Sequence, residues 1–322
     1  MRGMRMAAAG CALILGLLLA LDSVAISSPQ GDLRVVLTGL QDESIDPHRV
    51  VGGLQRPILF ALADSLYMVG IDGKLSPALA TSFKITQDGL GWTFTLREGV
   101  KYHNGGLMNA QDVMFSIERT ARPEMKTAWG AELYRLIDRI EVIDPCTLTV
   151  YTKTPCSIFL DRLAAIAPAP RAYIEEAGEG VFKQHPVSAG PFKFVKRAIG
   201  EFIEFQAFEE HWRKVPSIRN LQLRIVAEAS TRLAMLKTGE ADVMAGLAGA
   251  MVQEVKADKT LKTVSSPMTA TQHIVFTDLV STEPSPFKDL RVRKALYHAI
   301  DRTAIGAGSR AAPIWLQARQ SW

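Results

Sequence analysis

The residues of this chain that could do chemistry are few and widely spaced. Its six histidines stand at positions 48, 103, 185, 211, 273 and 298, with no pair at metal-ligand spacing. The chain has no Gly-x-Ser-x-Gly nucleophile elbow, no His-Glu-x-x-His zinc helix and no Gly-x4-Gly-Lys-Ser/Thr phosphate loop. A triad or metal cluster assembled only in space stays open, but no spacing points to one, so the expectation is a protein that is not an enzyme and carries no cofactor. Cys146 and Cys156 bracket an alternating Thr147-to-Thr152 stretch. A strand rises ~3.3 Å per residue, whereas a disulfide needs Cα atoms within roughly 7 Å, so both thiols are expected to be free or buried.

The elements around these residues read as a mixed α/β scaffold. With 322 residues, 48% hydrophobic and 22% charged, the chain has enough apolar mass for one large or two medium domains. Asp88-Gly89 is a turn signal, and Trp92, Phe94 and Leu96 alternate with Thr93, Thr95 and Arg97 as in a half-buried strand. Asn109 or Ala110 then opens a helix with Val113, Ile117 and Phe115 on its apolar side and Asp112 in its first turn. Asp144-Pro145 turns between two antiparallel strands, 140–143 and 148–150. Leu33–Leu37 reads as a first parallel strand and Arg56–Tyr67 as a helix. From Leu221 the pattern is strand, helix with Leu233, Ala234 and Leu236 inside, Gly239 cap, strand.

Residues 1–27 are of another kind. Arg2 and Arg5 precede an apolar run from Ala12 to Leu21, and Ser23-Val24-Ala25 offers small residues for cleavage. The expectation is a secretory signal peptide and a periplasmic location, with Cys11 placed before the apolar run and so not a lipid attachment point. The formal charge of +4 becomes about +3 after cleavage, which gives no electrostatic case for nucleic acid.

The ordered string of types from Leu75 through Trp92, His103 and Asn109 to Arg119 closely resembles the signature of the family 5 extracellular solute-binding proteins, receptors of bacterial peptide, nickel and related ABC importers. Further matches are Asp46-Pro47, Pro186-Val187 through Gly190-Pro191-Phe192, His211-Trp212, Ser230 to Asp242, and Pro286 to Arg302. The resemblance runs from about residue 33 to 305 and implies a type II periplasmic binding protein-like fold with an extra domain. On that frame residues 31–74 plus 190–268 form the first lobe and 75–189 the extra domain. Residues 269–305 begin an incomplete second lobe, and 306–322 form a tail without the family pattern.

The implied function is to bind a dipeptide or oligopeptide by closure of two lobes and deliver it, as a monomer, to the membrane permease of an ABC importer. The alternative is a truncated, non-transporting product that acts as an interaction or chaperone-like protein. The resemblance makes Val51, Gly52 and Gly53 candidates for backbone hydrogen bonds to an extended ligand. Trp129, in the loop after the signature helix, is a candidate aromatic wall, and Met244, Ala245 and Gly246 at a strand end are candidates for the hinge side of the cleft.

Overall fold

A computed structural model describes residues 29–39, 44–49, 56–70, 74–164, 166–247, 249–265, 284–301 and 315–319. The expected signal segment 1–27 lies outside them. None of the described helices is long and apolar enough to cross a membrane.

Strand β1 (Asp32–Leu37) is the keystone of the larger sheet. Its Val35 and Leu37 enter one apolar cluster while Val36 enters another on the opposite face, the period-2 alternation of a strand covered on both sides. It pairs in parallel with β10 (Asn220–Ile225) on one side and β11 (Val243–Ala245) on the other. Strands β9 (Phe202–Ala207) and β8 (Phe192–Ala198) add antiparallel beyond β10. On the other flank, β13 (Trp315–Arg319) runs antiparallel between β11 and β12 (Leu261–Ser265), giving the order β12-β13-β11-β1-β10-β9-β8.

Helix α1 (Arg56–Leu62) packs Ile58, Ala61 and Leu62 on one face of this sheet. The helix ends five residues before the expected Tyr67, because Leu66 and Tyr67 turn into the core of the neighbouring sheet and Tyr67 opens β2 (Tyr67–Val69). Helices α7 (Ala229–Thr238) and α8 (Gly249–Ala257) cover the opposite face through Leu233, Leu236, Val252 and Val255. Gly239 ends α7 at φ 80°, the left-handed cap expected of it.

The second sheet, β4 (Ala80–Ile85), β5 (Gly91–Leu96), β7 (Thr147–Thr152) and β6 (Ile137–Asp144), is antiparallel in the order β4-β5-β7-β6. A small pair, β2 with β3 (Leu75–Pro77), leads into it. Trp92, Phe94 and Leu96 point inward as their alternation requires, and the Asp144-Pro145 turn joins β6 to β7. Cys146 and Cys156 are free, half-buried thiols beyond opposite ends of β7.

Helix α2 (Ala110–Ala121) begins in a complete capping box: the Asn109 side chain accepts from the Asp112 amide and the Asp112 carboxylate accepts from the Asn109 amide. Its Val113 and Ile117 are fully buried, worth about 1.5–3 kcal/mol each relative to exposure. Phe115 faces a separate cluster with Ile174 and Phe182 of α5 (Arg171–Ala177) and α6 (Glu179–Gln184). Helices α3 (Ala128–Leu136) and α4 (Phe159–Ala164) complete the covering of the second sheet, and α9 (Leu290–Ala299) buries none of its described side chains.

Candidate functional site

Parallel strands place their carboxyl ends along one edge, and where consecutive connections leave to opposite faces a crevice opens there. Strand β1 leads to α1 on one face, whereas its neighbour β10 leads to α7 on the other. The switch point therefore falls between β1 and β10, and β11 flanks β1 on its far side. The edge is made by Thr38 and Gly39 after β1, Val226 and Ala227 after β10, and Gly246 after β11.

Arg232 of α7 holds this edge together. Its Nη1 donates to the carbonyls of Val226 at 2.7 Å and Ala227 at 2.6 Å, and its Nη2 donates to the Gly246 carbonyl at 3.2 Å. Arg232 is 2% exposed, while the carbonyls it binds belong to half-buried and exposed residues of the edge. Burial lowers the guanidinium's pKa from arginine's ordinary value, with the charge of Glu228 pulling the other way. Gly246 sits at φ +73°, and a Cβ there would lie 3.0 Å from Thr38 Cγ2, so both conformation and space call for glycine.

The sequence-based candidates fall unevenly on this geometry. Gly246 lies at the edge, and Ala245 is the last residue of β11, half-buried. Met244 is fully buried among Val36, Leu233 and Val255, so its side chain belongs to the core rather than to a cleft wall; period-2 alternation turns it toward α7 and α8. Trp129 is not in a loop: Thr127 caps α3, and Trp129 packs half-buried against the core of the second sheet. Val51, Gly52 and Gly53 lie outside the described residues.

A second polar cluster lies deeper. Arg119 Nη1 and Nη2 donate to both oxygens of Asp46, at 3.0 and 2.7 Å, while Nε and Nη2 donate to Glu179 at 3.0 and 2.6 Å. His48 receives Arg119 Nη1 on its Nδ1 at 2.7 Å and turns Nε2 to the Ala167 carbonyl at 2.8 Å, so the neutral ring protonated on Nε2 fits both contacts. Burial pushes His48 down to about 4. Burial raises the Asp46 carboxyl, but Arg119 outweighs it and holds the group below the usual carboxylate range. The cluster ties the segment after β1 to α2 and α6 and offers no exposed group for a ligand at its centre.

His103 and His211 have structural partners as well. His103 Nε2 faces the Gly190 carbonyl at 3.0 Å, and His211 Nε2 faces Asp64 at 2.7 Å, where Trp212 Nε1 also donates. Among the described residues there is no cluster of three or more His, Cys, Asp or Glu side chains placed to hold a metal ion.

A mixed sheet centred on parallel strands, helices on both faces and a switch point at the strand ends define a periplasmic binding protein-like α/β protein. Comparison with known proteins names the family: residues 74–308 match the model for "Bacterial extracellular solute-binding proteins, family 5 Middle", and the chain belongs to that family. It is 30% identical over 275 residues to the glutathione-binding protein GsiB of Pectobacterium atrosepticum, covering 84% of this chain and 52% of that relative. The chain spans about half the length of the curated relatives it matches.

Among solved structures it resembles the DppA periplasmic binding protein of Helicobacter pylori in complex with the peptide STSA, at TM-score 0.67 and 26% identity, covering 73% of this chain and 50% of that one. It also resembles NikZ of Campylobacter jejuni in complex with Ni(L-His), at TM-score 0.72 and 25% identity, covering 86% of this chain and 55% of that one.

Proposed function

We propose that this chain is the solute-binding component of a bacterial ABC importer, acting in the periplasm and presenting a dipeptide, oligopeptide or peptide-like solute to a membrane permease. The observation that carries the reading is the topological switch point at the carboxyl ends of β1, β10 and β11, where such sheets open a crevice, in a chain of family 5. Residues 31–74 with 190–268 act as the first lobe and 75–189 as the extra domain, and the solute is enclosed when a second lobe closes over the crevice. The protein works as a monomer without nucleic acid, metal or cofactor. A non-enzymatic role is supported by His48, His103 and His211, each engaged in a structural contact instead of facing a nucleophile. The names of GsiB and DppA favour a peptide or glutathione-like solute.

A thermal-shift panel of glutathione, Ser-Thr-Ser-Ala and nickel with histidine tests this reading. A solute at 100 times its Kd stabilises the native state by about 2.7 kcal/mol, and a rise in Tm is expected with at least one peptide-like member. No shift with any member at millimolar concentration contradicts it. A second reading, an interaction protein, draws on α9, whose Leu290 and Tyr297 are more than half exposed. It is favoured if the panel gives no shift while a dye for apolar surfaces binds the folded chain.

A further inference from the structure

We propose that Arg232 is the positioning residue of the crevice and that the solute group it favours there is a carboxylate. This rests on the receptor reading above. The guanidinium bridges the ends of β10 and β11, strands on opposite sides of β1, so one side chain fixes both flanks of the carboxyl edge. Its three hydrogen bonds all go to neutral carbonyls, and Nε is buried with no hydrogen-bond partner. No described carboxylate lies within ion-pair distance of it. A cation almost removed from water, with only the exposed Glu228 charge acting on it and no ion pair, is costly, and an anion arriving at the edge relieves that cost.

The helix that carries Arg232 adds to the same field. Strand β10 ends at Ile225 and α7 starts at Ala229, so the positive end of the helix dipole lies at the carboxyl edge. The N-cap Glu228 makes no side-chain cap to the helix amides. Its exposed carboxylate accepts from the Ser230 hydroxyl at 3.2 Å and is the charge that opposes an incoming anion. Water screens that exposed charge far more than it screens the buried guanidinium.

The test compares glutathione and Ser-Thr-Ser-Ala, each as free acid and as C-terminal amide, by calorimetric titration of the whole chain. For a solute that binds, the wild type is expected to prefer the acid at least tenfold. Arg232→Met should abolish the preference. Arg232→Lys, which keeps the charge but not the fork, should keep the preference while binding both forms several-fold more weakly. Arg232→Gln, which removes the charge but keeps an amide donor for the carbonyls, should likewise abolish the preference and serves if Arg232→Met does not fold.

A ratio preserved in a folded Arg232→Met or a folded Arg232→Gln reduces Arg232 to a structural residue and overturns the proposal. Equal wild-type binding of acid and amide also overturns it while leaving the receptor reading intact. Binding of no panel solute by the wild type overturns both.

Discussion

The Arg119 guanidinium lies flat against the Asp46 carboxylate in a two-pronged pair, and neither side chain has any exposed surface. Seventy-three positions separate the two residues, and the pair fastens the segment after β1 onto α2. Removing Arg119 leaves the Asp46 carboxylate buried and uncompensated, which costs about 3–5 kcal/mol. Arg119→Met is therefore expected to lower the urea midpoint strongly, and Arg119→Met with Asp46→Leu to recover part of the loss. A single variant within 1 kcal/mol of wild type, on the scale of about 1 kcal/mol for an ordinary substitution, would show that the pair does not hold the two segments together.

Acid should unfold this protein through His48 and His103, both held at about 4 by burial. In the unfolded chain each ring takes its proton near 6.5. The unfolded state thus binds more protons between those values, so stability is full above about pH 6.5 and falls as pH drops toward 4. For His48 the loss is about 2 kcal/mol by pH 5. Thermal unfolding from pH 7 to 4.5 should show this decline, and His48→Gln should flatten it. A curve of equal slope in wild type and His48→Gln would remove His48 as its cause.

Two glycines should answer oppositely to alanine. At Gly190 a Cβ would lie 2.4 Å from the Leu62 carbonyl carbon and the Ala63 nitrogen, a backbone-to-backbone approach with nothing flexible to yield. At Gly180, inside α6, a Cβ meets nothing within 4 Å. Gly190→Ala is expected to lose several kcal/mol or fail to fold, while Gly180→Ala gains about 0.5–1 kcal/mol. Chemical denaturation of both variants checks the pair, and a tolerated Gly190→Ala would mean that α1 and the segment after α6 can separate without loss.

What was legible in the chain was local pattern. The alternation of Trp92, Phe94 and Leu96, the helix start at Asn109 or Ala110 with Asp112 in its first turn, the Asp144-Pro145 turn and the Gly239 cap each depend on neighbours a few residues away, and each stands where its pattern put it. Arg56–Tyr67 misled because Leu66 keeps helical spacing with Leu62 yet turns into another core.

Ala234, read as inside its helix, is exposed, and the position beside Leu233 that is buried belongs to Arg232. A charged residue reads as surface until the carbonyl of Gly246 arrives from the next strand to receive it. The candidate site was visible only at Gly246, because the remaining edge residues, Thr38, Gly39, Val226 and Ala227, are brought together by sheet order and carry no motif of their own. The resemblance to family 5 identified the family that residues 74–308 match, but local pattern could not single out Arg232.

The location of the solute is the central claim, and amide hydrogen exchange with and without a bound panel solute tests it most directly. Saturating solute should slow exchange at Thr38 and Gly39, at Val226 and Ala227, and at Gly246 and Leu247, the ends of the three parallel strands. Exchange elsewhere in the second sheet, at β5 and β7 for instance, should change little. Protection concentrated on the second sheet, with the strand ends unchanged despite demonstrated binding, would contradict the crevice as the site.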